Sequence, residues 1–318
     1  MVLACFWIFA AFIGGAGKDI TSLKIIIHAD DFGLTHGVNE GIIEAIQKGC
    51  VTSTSALVNF PTSQEALSLA KQHSLDIGWH INLTLGHPIS DPKDIPSLVQ
   101  KNGNFHPLHS FIIRSFWGKI RKEDVQKELL AQYQKFAEAG LQISHADGHQ
   151  HVHVFPTVRD VVRDMVREKK ISHVRIPSES AGLLLPRLIA RAFLNLLTTN
   201  LDFGTNTVSF YGFSLGTESH RIEAWKKLLN RINSDTSEVM MHPARIRPED
   251  DYAGDDFPGN REAELKLLLS SEFKALLARQ GFHGEKFSSH ENLSRACNAL
   301  PQISPTPDTS KEDSNTAR

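Results

Sequence analysis

Cysteine is scarce in this 318-residue chain: Cys5, Cys50 and Cys297 lie far apart, with no CxxC pair. That excludes a disulfide framework and a thiolate zinc site of the finger type. Excess positive charge is also missing, because 34 Lys and Arg stand against 36 Asp and Glu for a formal net charge of −2. The chain therefore lacks the basic stripe expected of a general nucleic-acid binder. The apolar run at the N-terminus, Val2 to Ile13, is shorter than the about 20 residues a membrane-spanning helix needs. No Lys or Arg precedes it, as the start of a secretory signal would require, although the small residues Gly14-Gly15-Ala16 follow it. A cytoplasmic location is expected, with export or membrane association left open by this run. No fixed-period repeat is present.

What remains is an ordinary globular composition, 41% hydrophobic and 22% charged, arranged as alternating β-like and α-like segments. Leu23 to Ile27 reads as a buried strand, and Gly37 to Lys48 carries apolar residues at helical spacing. Strands are expected at Thr54 to Val58, Asp76 to Leu83, Leu141 to Ala146, His173 to Ile176 and Glu238 to Met241. Helices are expected at Ser63 to His73, Lys122 to Ala139, Thr157 to Lys169, Arg187 to Leu197, Ile222 to Ile232 and Arg261 to Ala278. Repeated β-then-α units favour a parallel sheet wrapped by helices, either barrel or doubly wound. Gly86 to Arg121 reads as an insertion or lid. The chain divides into an apolar extension (residues 1–20), one catalytic-size domain (21–287) and a Ser-, Pro- and Thr-rich tail (288–318) expected to be disordered.

Four polar clusters each follow an apolar strand: Asp30-Asp31, His80, Asp147-Gly148-His149-Gln150-His151-Val152-His153, and His242. In a parallel α/β fold the C-terminal ends of the strands open on one face, where active sites assemble. Each member alone has a structural reading. The aspartates would cap the helix near Gly37, His80 would be a bonded core histidine, Asp147 would orient a histidine, and His242 before Pro243 would stiffen a turn. His149, His151 and His153 alternate, so an extended chain would point them the same way.

Taken together the clusters point to a metal site, since two imidazoles and a carboxylate with open positions form a recognised arrangement. Asp31, His80 and His149 are the expected ligands, Asp30 the general base and His242 the general acid of an amide hydrolysis. A phosphoester hydrolase and a non-catalytic carbohydrate-binding barrel are the alternatives.

The residues Ala29-Asp30-Asp31-Phe32-Gly33, Gly37 to Ile42, Gly49 to Ser55, Ile77 to Thr84, Asp147 to Pro156 and Met241-His242-Pro243 resemble the YdjC-like family of carbohydrate deacetylases, which includes the chitooligosaccharide deacetylases. The resemblance runs from about residue 23 to 285 in unbroken order. It implies a distorted (β/α) barrel and removal of an N-acetyl group from an amino sugar. It also implies one divalent metal ion, usually Mg²⁺, held by Asp31, His80 and His149, with Asp30 and His242 at the family's other site positions. Zn²⁺ or another transition metal suits the same donors.

The carbohydrate substrate is expected to be an N-acetylglucosamine-containing oligosaccharide or a glycolipid. The segments Ser97-Leu98-Val99, Gly103-Asn104-Phe105 and Val174 to Pro177 look most like the hopanoid-biosynthesis-associated subfamily, which implies the lipid-linked form. Arg175, Trp79, His151 and His153 are the expected substrate-binding residues, with the alternatives that Arg175 orients Asp30 or is a surface charge, that Trp79 fills the core and that the histidines pack; a homodimer is compatible with the resemblance. The chain departs from the family pattern at His28, where Asn or Thr is more usual, at Trp79 and at Ala244.

Overall fold

The computed structural model describes residues 23–179, 185–251 and 258–289. The elements run β1 (Leu23–Phe32), α1 (His36–Lys48), β2 (Ser53–Ala56), α2 (Ser63–Gln72), β3 (Ile77–Ile81), α3 (Leu108–Phe116), α4 (Lys122–Ala139), β4 (His145–Gly148), α5 (Pro156–Lys169), β5 (His173–Val174), α6 (Leu185–Thr198), β6 (Ser209–Tyr211), α7 (Ile222–Leu229), β7 (Thr236–Met241), α8 (Pro258–Leu269), α9 (Ser271–Arg279) and β8 (Phe282–Gly284). The strands pair in parallel in the order β5-β4-β3-β2-β1-β7-β6, with β8 added along the start of β1. Asn206, just before β6, forms a parallel bridge with His173 of β5. The two edges of the sheet therefore approach each other, and the sheet curls into a distorted (β/α) barrel.

Local chemistry sets several boundaries. Thr35 caps α1 by accepting a hydrogen bond from the Val38 amide, so neither member of Asp30-Asp31 serves as the cap. Gly140 ends α4 in the left-handed conformation at φ 69°. The Leu141 amide then closes back on the Phe136 carbonyl, so residues 141–144 finish the helix end and β4 starts only at His145. The single helix expected over Arg261 to Ala278 is two, because Ser270 caps α9 through the Phe273 amide. The three-residue strands β6 and β8 were too short to register as periodic.

Strand alternation sorts the interior into two regions. Ile25, Ile27, Ala29, Ile77, Trp79, Ile81, Ala146, Val174, Val239 and Met241 face the helices and join one apolar core. The intervening positions His28, Asp30, Ser55, His80, His145, Asp147 and Glu238 are also buried, but they meet one another across the barrel interior.

The segment expected as an insertion is packed rather than loose. It carries α3 and buries Ile95, Leu98, Phe105 and Phe111 in the main core. At the far end, the amides of Phe287 and Ser288 donate to the Asp76 carboxylate, tying the end of the described chain to the barrel. Residues 1–22 and 290–318, which include the apolar run and most of the expected tail, lie outside the described residues. Among the described residues no helix is long and apolar enough to cross a membrane.

Candidate active site

A cavity of about 400 Å³ opens at the C-terminal ends of the strands, and Asp30, Asp31, His80, His149, His151 and His242 all line it. Four separate strand ends thus converge as the sequence pattern implied. Adjacent residues of a strand normally face opposite sides, yet Asp30 and Asp31 both reach the cavity. The reason is local: Asp31 has φ 69°, and the register of β1 against β2 slips between Ala29 and Phe32. This bulge turns the second carboxylate inward at the cost of a left-handed non-glycine residue.

Asp31 is the centre of the first cluster. Its Oδ1 lies 2.9 Å from His149 Nδ1 and 3.1 Å from His80 Nε2, while Arg261 donates to its Oδ2 at 2.6 Å. Burial raises the Asp31 pKa, but the charges of Arg261 and His149 more than offset it and hold the carboxyl well below its usual range.

His80 is oriented from behind by its in-register neighbour on β4, Asp147, whose Oδ1 accepts from Nδ1 at 2.9 Å. Ser55 donates to the other oxygen of Asp147 at 3.0 Å. With its proton on Nδ1, His80 turns a bare Nε2 toward the Asp31 carboxylate, and two electron pairs at that spacing call for a cation between them. Burial lowers the His80 pKa, but Asp147 and Asp31 override it and push it up to about 10.

His149 adds a second signature, since its Nε2 is buried without a hydrogen-bond partner. Donor atoms of Asp31, His80 and His149 all lie within 4.8 Å of one another. The donor set fits one divalent ion.

Asp30 belongs to a second cluster. Arg175 spans its carboxylate with contacts of 2.7 and 2.8 Å, and His28 Nδ1 lies 2.8 Å from Oδ1. Burial again raises the pKa, but Arg175 and then His28 more than offset it and hold the Asp30 carboxyl well below its usual range. Arg175 also meets Asp147 at 2.9 Å and Glu238 at 2.6 Å. One guanidinium thus contacts three buried carboxyl groups from β1, β4 and β7, and burial raises the pKa of Glu238 among them. His242, half-buried at the end of β7, holds its Nε2 4.0 Å from Asp30 Oδ2. Its backbone amide donates to Glu264 at 2.6 Å.

For three of the four expected substrate-binding residues the geometry fits the alternative role and not the substrate-binding one. Trp79 precedes His80 in β3 and so faces the opposite side; it is fully buried against Tyr133 and Gln132 of α4. Arg175 is buried beneath the cavity as the anchor of Asp30 and does not line it. His153 donates from Nε2 to the Arg175 carbonyl at 2.8 Å and is likewise sealed off. The same-face reading of the three histidines fails because residues 149–154 form 3₁₀ turns broken by left-handed Gln150 and His151, at φ 52° and 57°. Of that trio His149 enters the metal cluster and His151 lines the cavity beside Phe213. Burial, then the Arg175 charge, holds His151 well below its ordinary pKa.

Sequence reasoning missed the contribution of α8. Arg261 and Glu264 are buried, three positions apart, and reach Asp31 and the His242 amide from one helix face. In the sequence they are an ordinary pair of opposite charges three positions apart on an expected helix, which reads as a solvated face. Glu238 was missed as well, although a lone acid leading the apolar run Val239 to Met241 marked it. Leu34, Leu85, Leu108, Leu194, Phe213 and Met240 form an apolar wall to the cavity.

Residues 24–279 match the family model described as YdjC-like protein. The chain is 34% identical over 272 residues to a carbohydrate deacetylase of Brevibacillus brevis, covering 84% of this chain and 99% of that protein. It is 35% identical over 258 residues to a carbohydrate deacetylase of Geobacillus stearothermophilus, covering 80% and 93%. Among solved structures, a protein of Enterococcus faecalis V583 assigned to cellobiose-phosphate cleavage superposes with a TM-score of 0.65 at 28% identity, covering 85% of this chain and 99% of that one.

Proposed function

Because the chain belongs to the YdjC-like family, we propose that it is a carbohydrate deacetylase that hydrolyses the N-acetyl group of an amino sugar with the help of one divalent metal ion. The carrying observation is the placement of Asp30. It is an ionised carboxylate pinned by Arg175, beside the Asp31, His80 and His149 donors and 4.0 Å from His242. A divalent ion held by those three donors would supply Lewis acidity toward the acetamide carbonyl and a more acidic attacking water. Mg²⁺ is the ion the family resemblance implies, and Zn²⁺ suits two imidazoles and a carboxylate equally well.

The remaining work falls to side chains of this chain. Asp30 takes the proton from the attacking water, and Arg175 keeps it ionised and aimed. His242 delivers a proton to the departing nitrogen as the C–N bond breaks, releasing acetate and the free amine. Glu264 holds the His242 backbone, and Arg261 holds the far oxygen of Asp31. His151 and the apolar wall border the sugar, which is N-acetylglucosamine in an oligosaccharide or a glycolipid.

A second, phosphatase-like metal would need ligands of its own. The other candidate carboxylates, Asp30, Asp147 and Glu238, already share the guanidinium of Arg175. A pure binding role would leave the base and acid pair without purpose.

Acetate release from N-acetylglucosamine oligomers and glycolipids, with Mg²⁺ or Zn²⁺ added, tests this reading. Wild-type protein releases acetate, while His80→Ala and His149→Ala lose roughly 10²- to 10³-fold. Equal rates for all three proteins, or no release with any metal, defeats it.

A further inference from the structure

Behind Asp30 the barrel interior holds an imidazole pair that the proposed chemistry does not use. His28 and His145 are fully buried, with ring centroids 4.8 Å apart and planes at 83°. Their Nε2 atoms are 2.7 Å apart. His145 Nδ1 faces Ser144 Oγ at 2.8 Å, and His28 Nδ1 faces Asp30 Oδ1 at 2.8 Å. The pair is enclosed on purpose-shaped surfaces. Phe287 stacks on His145 at 4.1 Å, and a Cβ at Gly78 would overlap the His145 ring.

An Nε2-to-Nε2 contact holds only if one nitrogen donates and the other accepts. Asp30 settles which. Arg175 donates to both of its oxygens, so the carboxylate accepts, and His28 carries its proton on Nδ1 to face Oδ1 at that distance. In a neutral His28 this leaves Nε2 bare to accept from His145 Nε2–H, and leaves His145 Nδ1 bare toward the Ser144 hydroxyl, whose one hydrogen also has the Ile77 carbonyl in reach at 3.2 Å. Burial, the largest cause, lowers the His145 pKa to about 3, so His145 is the neutral partner the chain requires. Arg175 Nη2 also lies 2.9 Å from His28 Nδ1, but that nitrogen has Asp30, Asp147 and Glu238 to receive its hydrogens.

We propose that His28 is a positioning residue for Asp30: propped by His145 and Ser144, it donates from Nδ1 to Oδ1 and fixes the carboxylate against rotation about the grip of Arg175. Arg175 holds both oxygens from one side. His28 supplies the second direction that makes the orientation unique. Glu238 and Asp147, each 3.9 Å from His28 Nδ1, are too far to replace Asp30 as its acceptor. The inference rests on the reading of Asp30 as the base.

Two measurements decide it. Nitrogen-15 spectra of histidine-labelled wild-type protein are expected to show a proton on His28 Nδ1 and a His145 protonated only at Nε2. A His28 bare at Nδ1 overturns the proposal without any assay of activity. In kinetics, His28→Leu removes the donor, and kcat is expected to fall on the order of 10- to 100-fold with KM within about twofold. His28→Asn keeps an N–H donor and recovers most of that loss. Unchanged kcat in His28→Leu, or equal loss in both variants, overturns the proposal. Wild-type protein that releases no acetate defeats the deacetylase reading instead, and the spectra still decide where the His28 proton points.

Discussion

The two faces of the same strands follow opposite rules. Toward the helices, Ile27, Ala29, Trp79, Ala146 and Val239 fill an apolar layer in which nothing depends on direction. Toward the barrel axis, one residue away along each strand, His28, Asp30, His80, Asp147 and Glu238 form a buried polar network in which nearly every contact is directional. The first region is held by area removed from water, so shape errors cost in proportion to the cavity they leave. The second is held by pairing, so removing one partner strands the others. The helix-facing layer therefore supplies stability that can be traded residue for residue. The interior spends it on fixing where protons and charges sit.

The sharpest way to break this contrast is Arg175→Met. It leaves Asp30, Asp147 and Glu238 without their shared cation, and the loss is expected to be about 3–5 kcal/mol in urea unfolding together with nearly all acetate release. Stability near the wild-type value would mean that the interior is not held by pairing. On the other face, Phe136→Ala opens a cavity in the helix-packed core and is expected to cost about 3–5 kcal/mol. Its kcat and KM per folded molecule should stay near wild type, measured well below its unfolding midpoint. A selective fall in kcat would show that the two regions are coupled.

The interior also sets an acid limit. His145 and His153 are held down by burial to about 3 and about 4. An unfolded histidine titrates near 6.5. Below that pH the unfolded chain takes up protons that the fold refuses. Stability from these two groups is thus complete above about pH 6.5 and is lost as pH falls toward 4, at about 1.4 kcal/mol per pH unit for each. Urea midpoints measured from pH 8 to pH 5 check this, and a flat profile below pH 6.5 contradicts it.

The smallest effect distinguishes the two sides of one strand. Trp79→Phe should cost about 1–2 kcal/mol through lost packing against α4 and leave KM for sugar substrates within about twofold. A large rise in KM would return Trp79 to the cavity and undo the face assignment.

Much of the site was legible in the chain because each cluster directly follows a β-like run, and parallel strands end on one face. That rule alone brought Asp31, His80, His149, Asp30 and His242 to one cavity. Trp79 was misplaced although the information was present: a neighbour of His80 in a strand has to face the other way. His153 was misplaced for a different reason. Its alternation with His149 and His151 implied an extended chain, and nothing in the side chains announced the left-handed residues Gln150 and His151 that break it. Arg261 and Glu264 come from a helix more than 200 positions after Asp31, and no local pattern links them.

By itself the order of residues determined the alternation of strands and helices, the family to which the chain belongs, and which polar residues stand at strand ends, because these depend on local periodicity and short motifs. Tertiary structure decided the partners: which cation meets Asp30, which carboxylate turns His80, and which proton faces the base. The contacts of His80 with Asp147, Asp30 with Arg175 and Asp31 with Arg261 join residues 67 to 230 positions apart. Their distances are set by barrel closure and by one left-handed aspartate, not by any segment alone.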